Sequence, residues 1–294
     1  MRGARRHEDL SRPRGAARAD PEVTAGARAP HRGLGGPAVP WLPRMLLNLT
    51  LAAVAAAVAG LVNALAGGGT LITFPALTAL GVPPVVANVT NTVALCPGYL
   101  GGTLAQRGVL RARARRMAWM LPLSVLGGLL GGWLLLHSGE RLFGALVPWL
   151  LLGATLLLLI QGRVRAWLQR RPQHHARWSA LLVPSLTLAA IYGGYFGAGV
   201  SVIVMALLGL FLEDSFAALN GQKQLVSFGI NVAAALLFLS SHKVDWSYAA
   251  VMAVSAPFGG WLGGRLAEKI PGALLRWFVI ATGLAVSAVY FLRA

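Results

Sequence analysis

The sequence predicts an all-α, polytopic membrane protein, a bundle of helices that crosses the bilayer several times. Of its 294 residues, 56% are hydrophobic and only 12% are charged, and the mean hydropathy is +0.65. Because soluble domains carry about 25% charged residues, this chain has too much apolar surface for a water-soluble fold. Its apolar segments also reach the roughly 20 residues that a helix needs to cross a membrane. Alternating segments of about ten residues, which would indicate a membrane β-barrel, do not occur.

Eight apolar segments predict about eight transmembrane spans. A further apolar piece, residues 70–80, is too short to cross, because a helix of that length rises only about 16 Å. It is either a re-entrant hairpin or one half of a broken span. The eight segments are residues 45–66, 84–106, 117–137, 142–161, 179–212, 215–241, 246–264 and 272–292.

Arginines indicate the orientation. Residues 1–44 contain nine arginines, and residues 107–116 and 163–177 contain five each. Since cytoplasmic segments of membrane proteins are enriched in Lys and Arg, we expect all three segments, and both termini, on the cytoplasmic side. The same reasoning predicts a group of acidic residues on the opposite side: Glu140, Glu213, Asp214 and Glu268.

The basic segment 1–44 contributes much of the net charge of +17. Its arginines are interspersed with Ala, Gly and Pro, without an aromatic residue before Trp41 on which a base could stack. We therefore expect a disordered tail that touches anionic lipid, and no nucleic-acid partner. An alternative is that translation starts at Met45 and the tail is absent from the protein.

Collinear sequence matches predict that the chain is an internal duplication. GALVPW at 144–149 recurs as GALLRW at 272–277, and GGLLGG at 127–132 recurs as GGWLGG at 259–264. Glycine doublets of this spacing let helices pack closely in lipid.

The duplication divides the chain into four parts. After the tail 1–44, we expect a first membrane repeat at 45–162, a basic cytoplasmic linker at 163–177 and a second repeat at 178–294. Duplicated halves are common in secondary transporters.

Each half contains a glycine-rich break near its start. The first is Gly67-Gly68-Gly69-Thr70 and the second runs from Gly197 through Gly199 to Ser201. The backbone groups freed by a break must be buried in protein or line a wet cavity, since lipid cannot bond them. The helix that begins after the break directs its positive dipole end into that cavity, which attracts anions. Two corresponding breaks therefore indicate a transporter binding site.

The helices that follow the breaks carry polar side chains, among which Lys223 could neutralise an anion. Other interpretations remain open: the glycines only allow close helix crossing, Lys223 reaches the membrane surface, and the amides and hydroxyls bond other helices. The predicted substrate-binding residues are Asn63, Gly67, Gly68, Gly69, Thr70, Asn88, Thr90, Asn91, Gly197, Gly199, Ser201, Asn220, Lys223 and Asn231.

The sequence indicates no catalytic or metal site and no cofactor. Its one cysteine, Cys96, cannot form an intramolecular disulfide, and His174 and His175 lie in a basic loop. The apolar segments contain no HExxH motif and no His or carboxylate pair that an intramembrane enzyme would need. We expect no enzyme activity.

The chain resembles the TauE/SafE family of bacterial sulfite exporter-like permeases. The resemblance depends on residues 61–102 (beginning LVNALAGGGTLITFP), GALVPWLLL (144–152), GGYFGAGVSVIVMALLGL (193–210), ALNGQKQLVSFGINVAAALLF (218–238) and LRWFVIATGLAVSAVYFL (275–292). It implies an inner-membrane carrier of small anions such as sulfite, sulfonates or sulfoacetate. The second break departs from the first, with Ala198 between its glycines and Met205 opposite Pro75.

The sequence thus favours a secondary transporter of a small anion, with the lipid bilayer and that anion as its partners. A passive anion channel and a non-transporting scaffold or assembly protein are the alternatives, and a homo-oligomer is left open. Because the spans lack a clear carboxylate relay for protons, potential-driven transport or simple uniport is favoured.

Overall fold

A computed structural model describes residues 42–65, 68–170, 181–266 and 272–293, and all regular structure in these ranges is helical. The predicted all-α membrane bundle is confirmed, and segments 42–63, 114–164 and 216–239 are long and apolar enough to cross a bilayer. The tail up to residue 41, Gly67, and His174 and His175 lie outside the described residues. The helices are α1 Leu42–Leu65, α2 Thr70–Ala79, α3 Pro84–Ala105, α4 Arg107–Arg111, α5 Ala114–Arg170, α6 Leu182–Tyr195, α7 Val200–Phe211, α8 Phe216–Leu239, α9 Trp246–Leu266 and α10 Gly272–Arg293.

Helix α5 is a helical hairpin with a bend at Gly139, where φ is 69° and ψ is 167°. Gly194 packs on Gly128, and Gly199, close by in the chain, contacts Ala154. Residues 128 and 154 would be about 39 Å apart in one straight helix, and five residues of chain cannot span that distance. The arms 114–138 and 140–170 therefore fold back on each other.

Close helix packing at glycine joins the bundle together. A Cβ on Gly131 would lie 2.0 Å from the Ile191 carbonyl oxygen, and a Cβ on Gly259 would lie 1.9 Å from the Ala57 carbonyl oxygen. These contacts fasten α6 to the first arm of α5, and α1 to α9. The predicted role of the glycine doublets in packing is confirmed at these two positions. The internal duplication remains a prediction. If it holds, the pairing of α6 with α5 and the pairing of α1 with α9 occupy equivalent places in the two halves.

Helices α6 and α7 form a re-entrant pair. Their 14 and 12 residues rise about 21 and 18 Å, short of a hydrocarbon core of about 30 Å. Helix α6 runs in the same direction as the first arm of α5, since Ala190 contacts Gly127 and Tyr195 lies beside Gly131. Helix α7 then returns, because Phe211 at its end joins an apolar cluster with Met117 near the start of α5. The chain thus enters and leaves the bundle at one end.

This return corrects the predicted position of Asp214. The arginine pattern predicts that Asp214 lies on the side opposite residues 107–116. In the structure, Arg113 Nη2 lies 2.8 Å from Asp214 Oδ1, and Arg116 also pairs with this carboxylate. The prediction is wrong because it treats 179–212 as a full crossing. The expectation that the C-terminus shares the side of residues 107–116 is wrong for the same reason: Arg276 contacts Gly162 and Ser287 bonds to Pro148, so α10 ends near the Gly139 bend. We call the side that carries residues 107–116 and 213–214 the arginine end. At the other end, Glu140 Oε2 accepts a hydrogen bond from the amide of Val85 at 2.9 Å.

Candidate functional site

A small, largely enclosed cavity lies where α2 and α7 begin, between α3 and α8. Its volume is about 10 Å³, room for about one water molecule. The lining combines apolar surface with amide and hydroxyl groups, and it includes residues of both glycine breaks. Its residues are Thr70, Asn91, Thr92, Leu95, Tyr99, Gly193, Phe196, Gly197, Val200, Ser227, Ile230 and Asn231.

The second break forms a tight turn because glycine supplies left-handed backbone conformations. Gly197 has φ 79° and Gly199 has φ 75°, values that cost other L-residues roughly 1–2 kcal/mol. The Val200 amide donates to the Gly197 carbonyl at 3.2 Å, and the Tyr192 hydroxyl donates to the Ala198 carbonyl at 2.7 Å. These bonds fix the start of α7 beside the cavity.

The first break satisfies part of its own backbone. The amides of Leu71 and Ile72 donate to the carbonyls of Gly68 and Gly69 at 2.9 and 3.0 Å. Only some of the amides expected to face an anion are therefore free to do so. The dipole of α2 still places its positive end beside Thr70, which lines the cavity.

Both breaks lie level with the middle of the long helices beside them. The second arm of α5 and α10 are antiparallel neighbours, and Thr155 packs against Gly283 at the midpoint of α10. A Cβ at Gly199 would lie 3.5 Å from the Ala154 backbone, and a Cβ at Gly68 would lie 3.2 Å from the Leu158 side chain. The two positions are close to the Thr155 level. Substrate sites of transporters are found at this depth.

Three polar atoms from lining residues lack a hydrogen-bond partner in the described part of the chain. They are Asn91 Oδ1, Ser227 Oγ and Asn231 Oδ1. Asn91 and Ser227 are 2% and 1% exposed. A buried polar group without a partner costs about 1–3 kcal/mol. Three such atoms around one cavity indicate a place where a ligand or water supplies the missing bonds.

Ser227 lacks the hydrogen bond to its own helix that nearby hydroxyl groups make. The hydroxyls of Thr92 and Ser124 donate to the carbonyls of Asn88 and Met120 in their own helices, at 2.9 and 2.7 Å. Such a bond is the usual solution for a hydroxyl on a membrane helix. Ser227 makes no such bond, so its buried hydroxyl is left without a partner in a residue that lines the cavity.

Several predicted site residues form hydrogen bonds with other parts of the protein and do not line the cavity. The Asn88 side-chain amide donates to the Tyr195 carbonyl at 2.9 Å, and Thr90 Oγ1 accepts from the Asp245 amide at 3.0 Å. These bonds fasten α3 to the second break and to the start of α9. Neither residue lines the cavity.

The predicted cation also lies outside the lining. Lys223 Nζ donates to Asn220 Oδ1 at 2.8 Å, and both side chains are half-buried. Ser201 is half-buried in the first turn of α7, and Asn63 is exposed near the end of α1. A Cβ on Gly69 would lie 2.8 Å from the Ala59 carbonyl oxygen, so this glycine serves helix contact. Thr70, Asn91, Gly197 and Asn231 are the predicted residues that the cavity brings together.

The residues predicted from the sequence do not include Ser227, Tyr99 and Phe196. Ser227 has a detectable signal, because it lies four residues before Asn231 and so shares its helix face. Phe196 stacks edge-on against Phe74, with ring centroids 5.4 Å apart, and forms an apolar floor. Its position follows from packing, which no sequence spacing shows.

At the arginine end, Asp214 is the centre of a charged network. Its Oδ1 accepts from Arg113 Nε and Nη2, at 3.2 and 2.8 Å, and its Oδ2 accepts from Gln222 Nε2 at 2.8 Å and from Arg116. Burial raises the pKa of this carboxyl. The hydrogen bonds from Arg113 and Gln222 and the charges of Arg116 and Arg113 lower it more, so its pKa lies below the ordinary value.

An open groove of about 500 Å³ lies beside this network. Arg113, Arg115, Arg116 and Trp119 line it. Concentrated positive charge raises the local concentration of anions.

Comparison with known proteins places the chain in a family. Residues 52–290 match the family model described as sulfite exporter TauE/SafE. The chain belongs to the TauE/SafE family. A probable membrane transporter protein of Haemophilus influenzae is 29% identical over 238 residues, covering 79% of this chain and 89% of that protein. YfcA of Escherichia coli K12, also named a probable membrane transporter protein, is 24% identical over 235 residues, covering 79% and 86%.

A probable membrane transporter protein, ORF9, of a Sinorhizobium species is 27% identical over 238 residues, covering 80% of this chain and 88% of that protein. No solved structure matches the chain. TauE/SafE membership, the apolar helices and the names of these relatives support a multi-pass membrane transporter.

Proposed function

We propose that the protein is a secondary transporter that moves a small anion, such as sulfite, an organosulfonate or a related sulfur or carboxylate anion, across the bacterial inner membrane. The observation that carries this proposal is the cavity in the middle of the bundle, which is lined by residues at the starts of α2 and α7 and by Asn91, Ser227 and Asn231, whose side chains have unpartnered polar atoms. Because transporters bind substrates at such breaks, this is where we expect the anion.

The anion is recognised by neutral donors and helix dipoles. Helices α2 and α7 direct their positive ends toward the cavity. The hydroxyls of Thr70 and Ser227 and the side-chain amides of Asn91 and Asn231 can donate hydrogen bonds. Lys223 lies outside the lining, and we assign it to the path by which the anion approaches or leaves.

The small volume of the cavity supports a carrier over a passive channel. A volume of about 10 Å³ is too small for a polyatomic anion, so loading requires the surrounding helices to move. At the arginine end, the Asp214 network connects the α7–α8 junction to the start of α5. We propose that this network closes one access path, that the arginine end is cytoplasmic, and that transport requires the network to open.

A scaffold or assembly protein is the second candidate. It would use the basic residues 1–44 as its partner surface, because this is the only long segment outside the membrane repeats. Deleting these residues leaves flux unchanged in a transporter, whereas a tail-dependent scaffold loses its partner.

Anion flux into proteoliposomes tests the proposal. We expect saturable uptake of at least one member of a panel of sulfite, sulfate, thiosulfate, sulfoacetate and taurine. Thr70→Val and Asn91→Ala should each reduce this uptake at least tenfold, and Lys223→Ala should reduce it less. Ser255→Ala is the matched control, because the Ser255 hydroxyl donates to the carbonyl of Val251 in its own helix. Absence of flux for every anion, or flux that never saturates, would overturn the carrier proposal.

A further inference from the structure

The cavity contains a group of oxygen acceptors that an anion alone does not explain. Asn91 Oδ1, Ser227 Oγ and Asn231 Oδ1 are buried and have no donor among the described residues. Ser227 and Asn231 are one turn apart on α8, and α3, which carries Asn91, packs against α8. Three lone-pair donors thus belong to residues that line a space of about 10 Å³.

The lack of charged side chains in the described lining indicates which kind of ligand these oxygen atoms bind. No Lys, Arg, Asp or Glu is among the described residues that line the cavity. An anion transferred there from water would be balanced only by the partial charges of the helix ends, and a charge without a full counter-charge is costly inside a membrane. A monovalent cation bound beside the anion removes that cost, because the pair enters with no net charge.

Size and chemistry select the cation. A volume near that of one water molecule admits a bare ion and excludes a polyatomic one. Carbonyl and hydroxyl oxygens are hard ligands, which suit hard cations. Divalent Ca²⁺ and Mg²⁺ are normally bound through carboxylates, and none lines this cavity. The described ranges also contain no cluster of three His, Cys, Asp or Glu residues that could hold a metal ion.

A proton is a weaker candidate for the same role. Tyr99 is the one ionisable side chain among the described lining residues, and a phenol stays protonated at neutral pH. Proton coupling would need a carboxylate or histidine that loads and releases in this range.

We propose that Asn91 Oδ1, Ser227 Oγ and Asn231 Oδ1 form a Na⁺ site that couples sodium to the anion bound next to it. The inference rests on the proposed anion transport, because the anion supplies both the need for a counter-charge and a further oxygen ligand. In transporters with discontinuous helices, half-helix N-termini hold the anionic group, while unwound carbonyls and half-helix C-terminal ends hold the cation. Helix α6 ends at Tyr195, next to the lining residue Phe196. The cavity has room for a bare Na⁺, so we expect Na⁺ to bind alone and to bind more tightly when the anion is present.

The test is binding of radioactive Na⁺ to the purified full-length protein in choline chloride, with no candidate anion present. We expect saturable binding that unlabelled Na⁺ displaces better than K⁺. Ser227→Ala and Asn91→Ala should each weaken the affinity at least tenfold. Asn91→Asp keeps an oxygen at the same position and adds a charge, so it should retain or strengthen binding, which separates loss of a ligand from loss of folding.

Ser255→Ala, which removes a hydroxyl outside the cavity, is the matched control and should bind Na⁺ like the wild type. A folded wild-type protein without saturable Na⁺ binding would show that the cavity holds only water and would overturn the inference. Unchanged affinity in Ser227→Ala would do the same.

Measurements of anion flux distinguish failure of the Na⁺ site from failure of the proposed anion transport, on which the Na⁺ site rests. Saturable anion uptake that is equal in Na⁺ and in choline leaves the transporter standing and removes the Na⁺ coupling. Na⁺ binding without flux of any anion removes the proposed function and its coupling, and the binding itself then shows a sodium site with another purpose.

Discussion

The side-chain amide of Asn88 on α3 donates a hydrogen bond to the main-chain carbonyl of Tyr195, the last residue of α6, at 2.9 Å. The bond joins residues 107 positions apart and satisfies a carbonyl that the second break leaves without its helical partner. Tyr195 is fixed again by its hydroxyl, which lies 3.1 Å from Ser138 Oγ. The floor of the cavity is therefore fastened to both α3 and the bend of α5.

Asn88→Ala should lower stability without removing a lining residue. It leaves the part-buried Tyr195 carbonyl without its partner, which costs on the order of 1 kcal/mol. We expect a lower midpoint of thermal unfolding in detergent. Thr50→Ala is the control, because the exposed Thr50 hydroxyl bonds only to Leu46 of its own helix. Equal midpoints for the two variants would show that this bond does not support the break.

Gly194→Ala should damage the packing of α6 on α5. A Cβ at this position lies 2.2 Å from the Gly128 carbonyl oxygen, a backbone atom that cannot move aside. Overpacking of this kind typically costs about 1–3 kcal/mol or more, so we expect a large fall in the yield of folded protein.

Gly144→Ala is the matched control for Gly194→Ala. Gly144 is also helical, and nothing lies within 4 Å of its Cβ position. Alanine there should be neutral or stabilise the helix by up to about 1 kcal/mol. If both variants express and unfold alike, close packing at Gly194 is not what holds α6 in place.

The ion pair between Arg113 and Asp214 should show measurable coupling. The two side chains are 34% and 8% exposed, so the pair is less screened than one on an open surface. In a double-mutant cycle of Arg113→Gln and Asp214→Asn, we expect a coupling of about 1 kcal/mol in thermal unfolding. Arg115→Gln serves as the comparison, because Arg115 is exposed and lies outside the hydrogen-bond network of Asp214. Additive effects of the two substitutions would contradict the pairing.

The contribution of the Asp214 network to folding stability should not change with pH in the physiological range. Because the folded-state pKa of Asp214 is lowered, its contribution to stability is fully present above the unfolded pKa of about 4 and is lost as pH falls through the folded value. The stability difference between wild type and Asp214→Asn should therefore be constant from about pH 5 to 8 and shrink below about pH 4. A difference that changes between pH 6 and 8 would show that Asp214 titrates there and is not held ionised.

The sequence predicts the position of the breaks well, because a run of glycines is unfavourable in the interior of a continuous helix. Helix α1 ends at Leu65 and α2 begins at Thr70, while α6 ends at Tyr195 and α7 begins at Val200. Candidate site residues were harder to select. Asn88 and Asn91 lie one turn apart on α3, yet one supports the break and the other lines the cavity, a difference decided by contacts with α6 and α8.

By itself, the sequence determined the class of protein, an all-α membrane bundle, and where its helices are interrupted. Both follow from local physics, since apolar length and glycine content act within one segment. Only the tertiary structure decided that α6 and α7 turn back toward Arg113 and Arg116, that α5 folds at Gly139, and that Ser227 meets Asn91 across the cavity. These relationships depend on contacts between residues far apart in the chain, which hydropathy and spacing do not encode.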